Sequence, residues 1–504
     1  MPALSRPTQE EILALYRVGP EVVVALVEAL WDRITALEPL EQTVATLTAR
    51  VKALEDRLAL DSHNSSKPPS SDVGRPTPAP RSLRPPPGTS GRRSGGQPGH
   101  PGTTLRLVDT PEHVVLHRPL VVTCGACGQG LAGGAERVAD ERRQVVELPV
   151  LALAVTEHRV VCVACPACGV ETAGAFPVEV TQPAQYGDRL RATGVYLRDY
   201  QLLPYDRTCQ LLEDLFGATP AEGTLQAAET ACFAALASTE GAIVAALQHA
   251  HTGHFDETSV RVNGQREWLH VASTPALTHY GIHPKRGRGA TDAIGILPAF
   301  TGAATHDAWA PYFTYDNCTH ALCNAHLLRE LIFLYEQDHQ TWADELATLL
   351  VSAKDLADTA RVAGQAHLDE GVLATIEAHY GHLLAQGTAA NPPLPPPATT
   401  PPKRGRPKQT KAQNLLDRLT THRAAVLAFV HDLRVPFDNN QAERDLRMMK
   451  VQQKISGGFR SSHGAATFAP TRGYLSTLRK QGHPILDALC ATFAGSPPMP
   501  NLAR

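Results

Sequence analysis

Val435-Pro436-Phe437-Asp438-Asn439-Asn440-Gln441-Ala442-Glu443-Arg444-Asp445-Leu446-Arg447-Met448-Met449-Lys450 is the stretch on which the reading of this chain turns. As a helix it sets Glu443, Arg447, Lys450 and Lys454 three or four residues apart, on one face. A carboxylate among cations on one helix suits a metal ion held beside a phosphate backbone. The same pattern also describes a solvated face with i,i+4 ion pairs. Asn439 and Asn440 can cap the helix start. The residues upstream decide between these readings.

A chain of 504 residues is long enough for about three domains. Its charge is nearly balanced overall but not locally. Residues 403–423 carry seven Lys or Arg against Asp417 alone, and residues 438–483 carry eight against Asp438, Glu443 and Asp445. Basic segments in a mildly acidic chain point to a polyanion bound at defined surfaces. The acidic, polar N-terminus lacks the pattern of a signal peptide, and no apolar run approaches a membrane span. Five of the ten cysteines sit in two clusters, which fits a reduced compartment and one metal site better than a disulfide framework. The expected location is therefore cytoplasmic.

Taken in order, residues 20–60 read as a helix. Leu37, Leu40, Val44, Leu47, Val51, Leu54 and Leu58 follow the three-four spacing of a coiled-coil seam, with Pro39 interrupting it near the start. Self-association suits this seam, because a polar linker (61–105) follows and offers no local core. The linker's Pro, Gly and Ser content predicts an extended, flexible chain, and its arginines suit either phosphate contact or solubility. Residues 106–180 hold Cys124-x2-Cys127 and Cys165-x2-Cys168, two thiolate pairs that together complete a tetrahedral zinc site. Cys162 offers an alternative pairing with Cys165. The valine-rich runs near 114–122 and 155–163 predict the strands that bring the pairs together. Residues 185–245 read as helices: Arg189 to Leu202, Tyr205 to Phe216 with Gly217 as its stop, and a third beginning at Thr219 as N-cap. This outline fits a helix-turn-helix or an ordinary helical hairpin. Residues 254–262 alternate as a strand, Asn263-Gly264 is a hairpin turn, and 268–274 and 278–283 return as strands. A further strand ends at His306-Asp307, and a helix starts near Asn324. Lys403-Arg404-Gly405-Arg406-Pro407-Lys408 suits an A·T-rich minor groove or a basic tether.

Asp256 thus lies on a strand, Asp307 at the end of another, and Glu443 on a late helix. Three such carboxylates can hold two Mg²⁺ ions for phosphodiester chemistry. The helix cations would then hold DNA phosphates. Cys323-x2-His326 has half-site spacing, but no clear partner pair is in view, and it reads as a feature of the helix start.

The run from Val435 to Arg460, VPFDNNQAERDLRMMKVQQKISGGFR, resembles the C-terminal signature of bacterial transposases of the insertion-sequence-66 type. So do residues 64–72, Gly96 to His100, the paired CxxC knuckles, His254 to Thr258, and Cys323 to His326, in the same order. The resemblance implies a multidomain α+β protein: a coiled coil (1–60), a zinc module (106–180), a helical DNA-binding region (185–245), an RNase H-like core in two parts (246–335 and 435–483), a helical insertion (336–434), and a tail (484–504). It implies a DDE transposase with Asp256, Asp307 and Glu443 as the triad binding two Mg²⁺ or Mn²⁺ ions, and structural Zn²⁺ on Cys124, Cys127, Cys165 and Cys168. Members of this family have Asp-Gly at the second position where this chain has Asp307-Ala308, so Asp316 and Asp292 stand as alternatives. Arg444, Arg447, Lys450, Lys454, Arg404 and Arg406 are the expected DNA contacts. The expected partners are double-stranded DNA at element ends and target, a second copy through the coiled coil, and accessory transposition proteins, at the bacterial nucleoid. The competing functions are a DNA-binding regulator without catalysis and a two-metal nuclease or resolvase.

Overall fold

The structure is a computed structural model, and it describes residues 8–60, 64, 105–117, 122–132, 142–393 and 409–503. The linker motifs at 65–72 and 96–100, and Arg404 and Arg406, lie outside these residues.

Two helices open the chain, α1 (Gln9–Val18) and α2 (Pro20–Ala59). Helix α2 runs unbroken through position 39. Val44, Leu47, Val51, Leu54 and Leu58 are all exposed on it, Leu58 to 70%. Its C-terminal end docks elsewhere in the chain: Lys52 pairs with Asp338 at 2.9 Å and Asp56 with Lys411 at 3.0 Å.

The cysteine-rich region is less regular than its sequence predicts. Only a short hairpin forms among its described residues, β1 (Cys162–Ala164) with β2 (Glu171–Ala173). The valine-rich runs at 114–117 and 155–161 form no strand, and Val114, Val115 and Val155 stay exposed. Strand propensity without a partner face to bury is not enough to order a strand.

Four helices follow. Helix α3 (Asp188–Val195) passes into a π-helical turn, Tyr196–Tyr200. Then come α4 (Tyr205–Phe216), α5 (Glu222–Ala235) and α6 (Ala237–Gln248). Gly217 closes α4 with φ 67°, as expected of an αL stop. Helix α5 starts later than the Thr219 cap predicts: Ala221 occupies the N-cap position, with no side-chain cap bond. It has no Lys or Arg and is packed among other helices, which suits the hairpin reading better than a groove-reading helix.

The centre is a five-stranded sheet of β3 (Thr252–Val262), β4 (Gln265–Ser273), β5 (Thr278–His283), β6 (Ala303–His306) and β7 (Thr319–Leu322), in the order β5-β4-β3-β6-β7. The first three are antiparallel, with Asn263 (φ 48°) and Gly264 (φ 74°) making the tight turn between β3 and β4. Strands β6 and β7 join β3 in parallel. Helix α7 (Arg288–Ile294) bridges β5 and β6. After β7 come α8 (Asn324–Asp338), α9 (Thr341–Val362), α10 (Glu370–Ala390), α11 (Lys411–Thr421), α12 (Arg423–Val426) and α13 (Ala428–His431). These helices share one core with Ala321 and Leu322 of β7. The chain returns as α14 (Asn440–Ser456), α15 (Ser462–Lys480) and α16 (Ile485–Phe493).

Strand alternation sorts β3 between two cores. Val260 and Val262 pack with Ala442, Leu446 and Met449 of α14, whereas Phe255 packs with Phe300 and Leu478 on the other side. Asp256 shares the parity of Val260, so it lies on the α14 side. Helix α14 spans roughly 25 Å and the strand from His254 to Val262 roughly 26 Å, a near match in length. The helix is tied to β3 at both ends. At the far end Phe459 N donates to Arg261 O at 2.7 Å and Asn263 N to Phe459 O at 2.8 Å. Gly458 makes room for this contact: a Cβ there would sit 2.5 Å from Arg261 O. Gly458→Ala should therefore lower stability by about 1–3 kcal/mol through overpacking against backbone. An unchanged melting temperature would show that the joint relaxes freely.

Candidate active site

The parallel register of β3 with β6 pairs Thr252 with Ala303, Gly253 with Ala304 and His254 with Thr305. Two residues further along the same register, Asp256 stands abreast of Asp307. Strand β7 pairs with β6 so that His306 faces Leu322, and Cys323 N donates to His306 O at 2.9 Å. Asp256, Asp307 and Cys323 thus line up across three neighbouring strands, with both parallel strands ending there. The two alternatives for the second aspartate are placed differently. Asp316 is exposed on a turn, and the Asp292 carboxylate accepts the Tyr315 hydroxyl at 2.7 Å.

The start of α14 is fixed by Asn439, which is 2% exposed. Its side chain makes no cap bond to its own helix. Instead its Nδ2 donates to Phe255 O at 2.8 Å and its Oδ1 pairs with His254 Nδ1 at 2.9 Å. Burial holds His254 below the usual histidine range. The neutral ring therefore donates from Nδ1 to the amide oxygen. The Asn439 N–H donates to Cys323 Sγ at 3.1 Å. One residue so joins α14 to the strand of Asp256 and to the end of β7.

The carboxylates share one electrostatic neighbourhood. Burial, then Glu257, Asp307 and Glu443, push Asp256 up to about 8. Its Oδ1 accepts the Glu257 N–H at 2.8 Å. Asp307 accepts from Trp309 N at 3.0 Å, and its carbonyl accepts from the buried His306 ring. Glu257 points to the opposite face, where Arg286 and the Tyr312 hydroxyl hold it, so it is not part of this set. The three triad candidates do not all gather within 4.8 Å of one another. Among the described residues the group that does is Cys323, His326 and Glu443. The sequence showed the Cys-x2-His half of this cluster but not its partner, which comes from a helix more than a hundred residues away.

The helix cations divide into two kinds. Arg444, Arg447, Lys450 and Lys454 are exposed. On α15, Arg472 is buried and Lys480 half-buried, and both bond within the fold. Arg472 donates to the carbonyls of Asp199 and Tyr200 in the π-helical turn, and Lys480 pairs with Asp445 at 2.9 Å.

The cysteine pairs form two copies of one turn. Gly128 N donates to Cys124 O at 2.9 Å and Gly169 N to Cys165 O at 2.8 Å, with both glycines at positive φ. Backbone amides, those of Cys127 and Ala126, lower Cys124, and those of Ala167 and Cys168 lower Cys165. Cys162 lies on β1, outside the turn. No three of these cysteines gather within 4.8 Å.

Among the described residues no single helix is long and apolar enough to cross a membrane. The family model described as Transposase IS66 family matches residues 183–467, more than half of the chain. A family of unknown function (DUF6444) matches residues 7–106. No curated protein and no solved structure matches.

Asp256 carries a pH prediction. Its folded-state value lies above its ordinary value near 3.9, so its contribution to stability falls as pH rises from about 4 to about 8. In chelator the melting temperature should fall over that window, and Asp256→Asn should flatten the slope. Equal slopes in both proteins would show that the carboxyl is not strained.

Proposed function

We propose, from the premise that the chain belongs to the IS66 transposase family, that it is a DDE-type enzyme that cuts and joins DNA strands at the ends of an insertion sequence. The sheet order, with three antiparallel strands followed by two parallel ones, supports an RNase H-like core interrupted by the α8–α13 insertion. The observation that carries the reading is the register that sets Asp256 beside Asp307, with the Glu443 helix laid over the same face.

The residues fit a hard divalent ion, since an aspartate pushed up to about 8 by desolvation, and then by neighbouring acids, is relieved by a cation. Mg²⁺ bound by Asp256, Asp307 and Glu443 would supply activation of the attacking hydroxyl and charge neutralisation at the phosphate. The chain itself orients these groups. Asp256 is fixed by the sheet, Asp307 by His306 and the Trp309 amide, and Glu443 through Asn439. From Glu443, Arg447, Lys450 and Lys454 continue along α14 as a stripe of roughly 16 Å, open to a DNA backbone. The two cysteine knuckles would hold structural Zn²⁺, the amide-lowered thiols of Cys124 and Cys165 being ready ligands. The exposed seam of α2 suits a second copy.

The test is a strand-joining assay with duplex DNA carrying the element's ends and Mg²⁺. Glu443→Gln should lower joining at least about a hundredfold, which is about 2.7 kcal/mol of barrier, with end binding unchanged. Unimpaired joining would overturn the triad, and cleavage without joining would make the protein a nuclease. Separately, Cys124→Ser should reduce bound zinc and weaken end binding; full zinc content would refute the knuckle assignment.

A further inference from the structure

Cys323, His326 and Glu443 each place one potential ligand atom within 4.8 Å of the other two. The backbone fixes the arrangement. Cys323 ends β7, His326 lies in the first turn of α8, and Glu443 lies in the first turn of α14. The Asn439 N–H on Cys323 Sγ locks the two helix starts together.

The polar atoms here lack ordinary partners. His326 Nδ1 and Glu443 Oε1 are both shielded from solvent and have no hydrogen-bond partner. His326 Nε2 lies 3.6 Å from Glu443 Oε1, too far for a hydrogen bond. Shielded nitrogen and oxygen atoms that remain unmatched in residues within reach of a thiol are a feature of metal sites.

The donor set selects the ion. Mg²⁺ takes oxygen ligands and keeps its waters, so sulfur and imidazole do not suit it. A thiolate, an imidazole and a carboxylate suit Zn²⁺ and its neighbours, and three protein ligands leave the fourth position open. We propose that Cys323, His326 and Glu443 form a site for a zinc-class divalent ion, and that filling it withholds Glu443 from Asp256 and Asp307. Binding breaks the Cys323 S–H bond, the proton leaves to solvent, and the sulfur pair becomes the metal–sulfur bond. The withholding clause rests on the proposed catalytic role of Glu443; the site itself does not.

The experiment uses the full-length chain with its knuckles loaded with zinc and Mg²⁺ in excess, titrated with Co²⁺. The wild type should show a thiolate-to-cobalt charge-transfer band that saturates at one added equivalent. Cys323→Ala should abolish the band, and His326→Gln should weaken cobalt binding at least about tenfold, with the far-ultraviolet circular dichroism of both variants checking the fold. His326 is partly exposed, so its variant tests the site if the cysteine variant fails to fold. Absence of the band, or a band of equal strength and affinity in His326→Gln, would overturn the site. In the joining assay Zn²⁺ should inhibit the wild type and a chelator should reverse it. His326→Gln, measured against its own uninhibited rate, should need at least about tenfold more zinc; equal sensitivity would overturn the withholding. If cobalt binds as expected while Glu443→Gln still joins DNA, the catalytic reading falls and the site stands. If Glu443→Gln abolishes joining while no band appears, the site falls and the catalytic reading stands.

Discussion

The buried side chain of Asn439 carries the contacts on which the rest of the arrangement depends. Its amide must satisfy a donor and an acceptor in a place closed to water, and both partners belong to β3. An unmatched buried amide costs about 1–3 kcal/mol, so the start of α14 has one position against the strand. Because the same residue's N–H rests on Cys323, the relation extends to β7. Asp256, Asp307 and Glu443 are fixed relative to one another by this joint rather than by contact among themselves.

The far end of α14 uses the opposite device. There the contact is backbone to backbone, and what matters is the missing side chain at Gly458. A polar clamp at one end and a steric allowance at the other hold the helix along the strand. Between them Ala442, Leu446 and Met449 face the sheet, Lys450 reaches back to Ser259 O, and Arg447 and Lys454 are left exposed. The helical run ends at Tyr200, and Arg472 takes up the carbonyls of Asp199 and Tyr200 that this end leaves without helical partners.

Much of the sheet was legible because its signals are local. Asn263-Gly264 names its own turn, and alternation in 254–262 assigns its own faces. The helix over 20–59 and the stop at Gly217 are of the same kind. The Thr219 cap misled because a good capping residue competes with the packing that sets where α5 begins. The valine run 155–163 yields a strand only at its end, where Cys162 and Val163 find a partner in β2, and residues 114–117 of the other run find none. The charge count over 438–483 took in Arg472 with the exposed cations, since nothing local distinguishes a buried arginine from a solvated one. The partner of Cys323 and His326 was invisible for a simpler reason: proximity across 117 residues is a property of the fold, not of the spacing.

The chain leaves the sheet at Cys323 and comes back at Asn439, and these two residues touch. Asn324 N also donates to Phe437 O at 3.1 Å. Everything from α8 to α13 therefore hangs from a closed neck. Closing such a loop costs little more as it lengthens, about 0.6 kcal/mol for each doubling. The segment can consequently be enlarged, trimmed or exchanged over evolutionary time without moving Glu443 relative to Asp256, provided the neck is kept. The placing of the acidic residues and the accessory helices are thus separately inheritable, although they are continuous in one polypeptide.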